Sequence, residues 1–206
     1  MIGFVTDRRR GADPSPAWLL ERIRAAAAAG VDWIQIRERD LCDRDLVALV
    51  RVATDVVRGT AARILVNDRV DIALAAGAAG VQLRGDSVDA ARVRAVAPRG
   101  FLIGCSIHAG ADLARAGGCD FVLFGTVFPS AGKAPGHPTA GVDALRALCA
   151  IARVPVVAIG GIDETNAREV AGAGAAGVAA VGMFMADRSP AEVASAVRTL
   201  REAFAS

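Results

Sequence analysis

Val154-Pro155-Val156-Val157-Ala158-Ile159-Gly160-Gly161-Ile162 is the stretch on which the fold turns. An apolar, β-branched run entered by a proline predicts a parallel strand buried on both faces. The two glycines that close it let the backbone approach a ligand and take conformations barred to side chains. Asp163-Glu164-Thr165 follows with the chemistry of a helix N-cap, so the expected order is strand, Gly-Gly, helix start. Free main-chain N–H groups and a helix N-terminus would then face one point, as in an anion cradle. The pattern returns at Ala176-Gly177-Val178-Ala179-Ala180-Val181-Gly182, followed by Met183-Phe184-Met185. In a (β/α)8 barrel a phosphate commonly sits at the loops after strands 7 and 8.

Working outward, the same joint recurs along the chain. Ala29-Gly30-Val31-Asp32 leads into Trp33-Ile34-Gln35-Ile36, and Ala76-Gly77-Ala78-Ala79-Gly80 into Val81-Gln82-Leu83. Gly117-Gly118-Cys119-Asp120 leads into Phe121-Val122-Leu123-Phe124, and Ala173-Gly174-Ala175-Ala176-Gly177 into Val178-Ala179-Ala180-Val181. Each is a helix end closed by glycine, then a turn, then a strand. Strands alternating with helices predict a parallel sheet. Strands are expected near 2–6, 32–37, 63–66, 80–83, 101–104, 120–124, 155–159 and 177–181. Helices are expected near 16–29, 43–58, 69–76, 87–97, 109–117, 142–152, 163–173 and 190–204. Leu46, Leu49, Val50 and Val57 share one helix face, as do Val193, Ala196, Val197, Leu200 and Phe204. Eight units in 206 residues predict one α/β domain, a TIM (β/α)8 barrel spanning 1–206. The alternative is an open doubly wound sheet, which the lack of G-x-G-x-x-G after the first strand disfavours.

Composition excludes several function classes. Net charge is only +2 and the arginines are scattered, so no basic footprint for nucleic acid is present. The short Arg8-Arg9-Arg10 run reads as a solvated loop. Cys42, Cys105, Cys119 and Cys149 show no C-x-x-C spacing and read as reduced, mostly buried thiols of a cytosolic protein. No apolar run of membrane length is free of glycine and charge, and Met1–Thr6 lacks a charged leader. A cytoplasmic protein without a membrane partner is the expectation.

Polar residues at strand carboxyl ends point into the site of such a barrel. Here they are Asp7, Gln35, Arg37, Arg39, Asn67, Asp68, Gln82, Asp86, Ser106 and His108. Alternation puts Gln35, Arg37 and Arg39 on one side of an extended segment, where guanidinium forks suit an oxyanion. The bland counterpart is an interior ion-pair layer with Glu38 outside. Asp68 suits either a helix cap or a Mg²⁺, which takes one or two carboxylates plus substrate oxygens. Ser106 and His108 share a side of their strand, and an imidazole suits proton transfer near neutral pH. The long Gly- and Pro-rich connection 125–141, which carries Lys133 and His137, predicts a functional loop over the site. His137 reads as solvent-exposed.

These stretches together resemble the thiamin phosphate synthase/thiazole tautomerase (TenI) superfamily. The resemblance rests on Phe4-Val5-Thr6-Asp7, Gln35-Ile36-Arg37-Glu38-Arg39, Val66-Asn67-Asp68-Arg69 through Ala73 and Gly80-Val81-Gln82-Leu83. It continues through Gly104-Cys105-Ser106-Ile107-His108, Phe124–Pro129 to Lys133, and Val156–Ile162, in order over nearly the whole chain. It implies the same barrel, a thiazole phosphate held at Gly160, Gly161, Val181 and Gly182, and a homodimer. Two activities occur in the superfamily. The synthase joins a hydroxymethylpyrimidine pyrophosphate to thiazole phosphate with Mg²⁺ on the leaving pyrophosphate. The tautomerase aromatises a carboxythiazole phosphate by moving one proton and needs no cofactor.

Residue by residue the chain stands between them. It keeps Asn67, Asp68, Ser106 and Lys133 of the synthase, but Arg39 stands where the synthase has Lys. The second metal carboxylate falls on Ser87 in Gln82-Leu83-Arg84-Gly85-Asp86-Ser87, with Asp86 one position early. Arg-Glu-Arg, Val-Gln-Leu and Ser87 resemble the tautomerase branch. The tautomerase is therefore the first expectation, with His108 as proton carrier and Gln35, Arg37 and Arg39 orienting the substrate carboxylate. The synthase is the alternative, with Asp68 on Mg²⁺, Asn67, Arg39 and Lys133 on the pyrophosphate and Ser106 on the pyrimidine. A thiazole-phosphate-binding protein without turnover is the third.

Overall fold

The computed structural model describes residues 1–132, 134 and 136–205. Eight strands alternate with helices: β1 (Ile2–Val5), β2 (Trp33–Ile36), β3 (Arg63–Asn67), β4 (Gly80–Leu83), β5 (Leu102–Ile107), β6 (Phe121–Phe124), β7 (Val156–Ile159) and β8 (Gly177–Ala180). Each pairs in parallel with the next, and β8 pairs with β1, so the sheet closes into a barrel in sequence order. The open-sheet alternative is thereby excluded.

The strands fall where the glycine-closed joints place them, except that β5 continues past Gly104 to Ile107. Gly104 does not end the strand. It leaves room inside the barrel, where a Cβ would stand 2.0 Å from Gln82 Oε1 and 2.5 Å from the Phe121 ring.

The helices are α1 (Pro16–Ala28), α2 (Asp43–Val56), α3 (Val70–Ala75), α4 (Ala90–Val96), α5 (Gly141–Ile151), α6 (Ala167–Gly172), α7 (Gly182–Met185) and α8 (Pro190–Ala203). Three differ from expectation. Residues 110–116 form a 3-10 helix rather than an α-helix. The start of α6 is Ala167 rather than 163. The Asp163 carboxylate there accepts from Thr165 N at 2.8 Å and Thr165 Oγ1 at 2.6 Å, a local turn that competes with helix. The four-residue α7 is additional, and it begins at Gly182, just after β8.

Two apolar regions hold the barrel. Between sheet and helices lie the expected faces: Leu46, Leu49, Val50 and Val57 from one, Val193, Ala196, Val197 and Leu200 from the other, all buried. Inside the barrel Val5, Trp33, Leu65, Phe121, Leu123, Val157 and Ala179 pack together. Trp33 and Phe121 stack with centroids 5.5 Å apart. Their bulk is admitted by glycines paired with them on the adjacent strands, since a Cβ on Gly3 would stand 2.2 Å from the Trp33 ring. Gly3→Ala is therefore expected to cost about 2 kcal/mol by overpacking. A urea titration would read it as a lower midpoint with an unchanged slope.

Above this plug the interior turns polar. Gln35 and Gln82 are buried; Gln35, Asn67 and Ser106 line a cavity at the strand carboxyl ends, and Gln82 packs behind Ser106. No helix among the described residues is long and apolar enough to cross a membrane.

Candidate active site

The cavity has a volume of about 860 Å³, within the usual range for a small-molecule site. Gln35, Arg37, Arg39, Asn67, Asp86, Ser106, His108, Gly160, Gly161, Val181 and Gly182 all line it. The barrel thus gathers nearly every expected residue at one end. Asp68 lies beside the wall rather than in it, and Lys133 lies outside the described residues. His137 is exposed in the connection between β6 and α5, as expected.

Two side-chain bridges between neighbouring strands hold the cavity-lining Gln35, Asn67 and Ser106 in place. Gln35 Nε2 donates to Asn67 Oδ1 at 2.9 Å, and Gln82 Nε2 to Ser106 Oγ at 3.1 Å. Gln35 Oε1 and Gln82 Oε1 are buried and accept no hydrogen bond from the protein. Gln35 lines the cavity, although this oxygen itself is enclosed by the protein.

Sequence pattern alone misjudged the β1 and β2 ends. Glu38 is not outside but buried, accepting from Thr6 Oγ1 at 2.6 Å and Arg8 Nη1 at 2.9 Å. Arg8 also forks onto Asp40 with two contacts of 2.7 Å. The bridge ties the β1 loop to the β2 loop. The Arg8-Arg9-Arg10 run is therefore not merely solvated: Arg8 anchors it and Arg10 lines the cavity. Arg37 is half-buried with Asp7 at 3.9 Å. Burial pushes its guanidinium pKa down, and the neighbouring Arg39 adds to this. Among the described residues Arg10 and Arg39 pair with no carboxylate. The cavity wall is thus short of negative charge and suited to anions.

On the other side of β1, at the ends of β7 and β8, stand the glycine turns. Gly160 and Gly161 have φ of 104° and 63°, left-handed values that favour glycine. The β6–α5 loop also lies on them. A Cβ on Gly161 would stand 2.3 Å from the Pro129 carbonyl oxygen, and Phe128 N donates to Gly160 O at 2.9 Å. The expected overhang is thus present, with Pro129, Ser130, Ala131 and Gly132 in the wall. Beside this turn α7 starts at Gly182, and the first N–H groups of a helix have no partner within it. Helix α6 begins too late to serve the cradle as the sequence suggested.

His108 sits at the end of β5. Its Nδ1 lies 2.6 Å from the Gly125 carbonyl oxygen, which can only accept, so Nδ1 carries the proton. Of the two neutral tautomers, this is the one that presents the lone pair at Nε2. Its main-chain N–H donates to Asp112 Oδ2 at 2.9 Å, as does that of Ala109. These two bonds hold the Asp112 carboxyl below the usual range.

The β3 and β4 ends hold an arrangement the sequence did not disclose. Asp68 adopts φ of 64°, unusual for a side-chain-bearing residue, and its carboxylate accepts a hydrogen bond from Ser87 Oγ. Arg84 reaches both candidate metal ligands. Its Nη1 lies 3.5 Å from Asp68 Oδ2 and its Nη2 2.6 Å from Asp86 Oδ2.

A model of the thiamine monophosphate synthase family matches residues 2–184. The chain belongs to that family. A provisionally named thiamine-phosphate synthase of Geobacter sulfurreducens is 43% identical over 96% of this chain and 92% of its own length. The thiamine-phosphate synthase of Methanoculleus marisnigri is 38% identical over 88% of this chain and 86% of its own. Among solved structures, the thiamine phosphate pyrophosphorylase of Pyrococcus furiosus superposes with a TM-score of 0.82 at 30% identity, covering 98% and 94% of the two chains. The names of these thiamine phosphate synthase relatives favour the activity that the sequence reading placed second.

The synthase side of the family implies Mg²⁺, and the residues present do not fit it. Ser87, not a carboxylate, faces Asp68, and a guanidinium already stands between Asp68 and Asp86. A dication at that point would meet Arg84 rather than two free carboxylates.

Proposed function

We propose that this enzyme is a thiamine phosphate synthase, joining hydroxymethylpyrimidine pyrophosphate to thiazole phosphate and releasing pyrophosphate. One observation carries the proposal: a single cavity has two separate anion-facing walls. The glycine turns after β7 and β8 suit the thiazole phosphate. Arg37, Arg39 and Arg84, on the β2 and β4 side, suit the pyrophosphate. Two phosphorylated substrates need two such walls; the carboxylate of a carboxythiazole phosphate would also occupy the second, and the synthase is preferred on the names of the relatives. As the bond to pyrophosphate breaks, negative charge develops on the leaving oxygen, and fixed guanidinium groups stabilise it. Buried Gln35, its half-buried partner Asn67, and Ser106 orient the pyrimidine from the floor.

A second reading, the tautomerase, is favoured by Ser87 in place of a carboxylate and by the tautomer that Gly125 imposes on His108. The test is one incubation of the purified protein with both synthase substrates and excess Mg²⁺. Thiamin phosphate formed over many turnovers is the expected result. Aromatisation of the carboxythiazole phosphate without any condensation would replace the synthase by the tautomerase. Binding of thiazole phosphate with neither reaction would leave a non-catalytic binder.

A further inference from the structure

We propose that Arg10 is the charged clamp of the phosphate subsite, holding the phosphoryl group from a third loop. The inference rests on the placement of a phosphate at the glycine turns, but not on which reaction follows. Main-chain amides offer a dianion hydrogen bonds without a full positive charge. A guanidinium supplies that charge and a fork matched to two phosphoryl oxygens.

Arg10 is the guanidinium that reaches the turn. A Cβ on Gly182 would stand 3.6 Å from Arg10 Nη2, so the cation lies over the start of α7. On its other side a Cβ on Gly132 would stand 2.7 Å from Arg10 Nη1 and 3.1 Å from Cζ. Gly132 is therefore the residue that lets the β6–α5 loop lie against the guanidinium. One cation thus touches two loops that enclose the glycine cradle while belonging to neither.

Its position is fixed from behind. Arg10 N donates to Asp7 O at 3.0 Å in a short 3-10 turn, and Arg8 in the same turn is locked onto buried Glu38 and onto Asp40. The side chain itself meets no carboxylate among the described residues. Its field is felt at Arg37, where it helps lower the guanidinium pKa. An uncompensated, half-buried cation beside a glycine turn is costly unless an anion completes it.

The test compares thiazole phosphate with the unphosphorylated thiazole alcohol by calorimetry, which needs no turnover. Arg10→Ala is expected to weaken the phosphate ester by about tenfold to a hundredfold, the worth of a charge-assisted hydrogen bond. The alcohol should bind within about twofold of wild type, so that discrimination between the two ligands collapses. Arg10→Lys should recover part of the loss, keeping charge without the fork. Gly132→Ala leaves the arginine in place but pushes its guanidinium aside, and it should reproduce the phosphate-selective loss. Equal losses for both ligands, or none for the ester, would overturn the clamp. Were the wild type to bind inorganic phosphate through Arg10 but not the thiazole ester, the clamp would stand and the thiamin reading would fall. Were it to bind no phosphate species, both would fall.

Discussion

Gly161→Ala is expected to abolish measurable binding of a phosphate ester and to lower stability by about 3 kcal/mol. Two independent costs meet at this position. The residue holds φ of 63°, where a Cβ crowds the following carbonyl. The Cβ would also stand 2.3 Å from the Pro129 carbonyl oxygen and 2.8 Å from Phe128 Cβ. Main chain cannot swing aside as a flexible side chain can, so the β6–α5 loop must lift. Pro129–Gly132 wall the cavity, so lifting them opens the subsite that Gly161 helps to form. Thermal melts would read the stability loss, and calorimetry with thiazole phosphate the binding loss. Gly182→Ala is the comparison, because a Cβ there meets nothing nearer than Arg10 Nη2 at 3.6 Å and φ is not left-handed. If Gly161→Ala matched Gly182→Ala in stability, the close packing of loop on turn would be refuted.

The same two turns show what the sequence disclosed and what it hid. Gly160-Gly161 after a β-branched run, and Gly182 after another, are local signals, so both turns and the barrel around them were legible. Strand ends obey the same logic: Gln35, Arg37, Asn67 and Ser106 reach the cavity because alternation and parallel register leave them no other face. What stayed hidden depends on contacts between loops far apart in sequence. Arg10 read as solvent because a run of arginines has no periodicity. Its reach to Gly132 and Gly182 exists only after the barrel closes. Burial of Glu38 needs Thr6 and Arg8 from the neighbouring strand end. The guanidinium of Arg84 between Asp68 and Asp86 was equally invisible, although Ser87 in the carboxylate's place hinted that the local charge plan differs. Gly104 misled because a glycine that admits an aromatic ring looks like one that ends a strand.

His108→Asn separates the two chemistries the cavity can support. Asparagine keeps a polar planar group at the end of β5 but has no titratable lone pair. If the protein moves a proton on the carboxythiazole, that rate should drop by about 10²–10⁴, the usual contribution of a general acid–base. The geometry locates the effect at one atom. With Nδ1–H given to the Gly125 carbonyl, only Nε2 can take and return the proton. The transfer reaction asks something else: charge neutralised at a leaving pyrophosphate, which falls to Arg37, Arg39 and Arg84. Condensation in the same variant should therefore change far less than tautomerisation, while Arg84→Ala should invert the ranking. The variant must be assayed for both reactions under one set of conditions, so that a folding defect, which lowers both rates alike, is recognised. Full tautomerisation without the imidazole would remove His108 from any proton transfer. Equal loss of both reactions in a folded protein would make it a positioning residue for the β6–α5 loop, acting through Gly125.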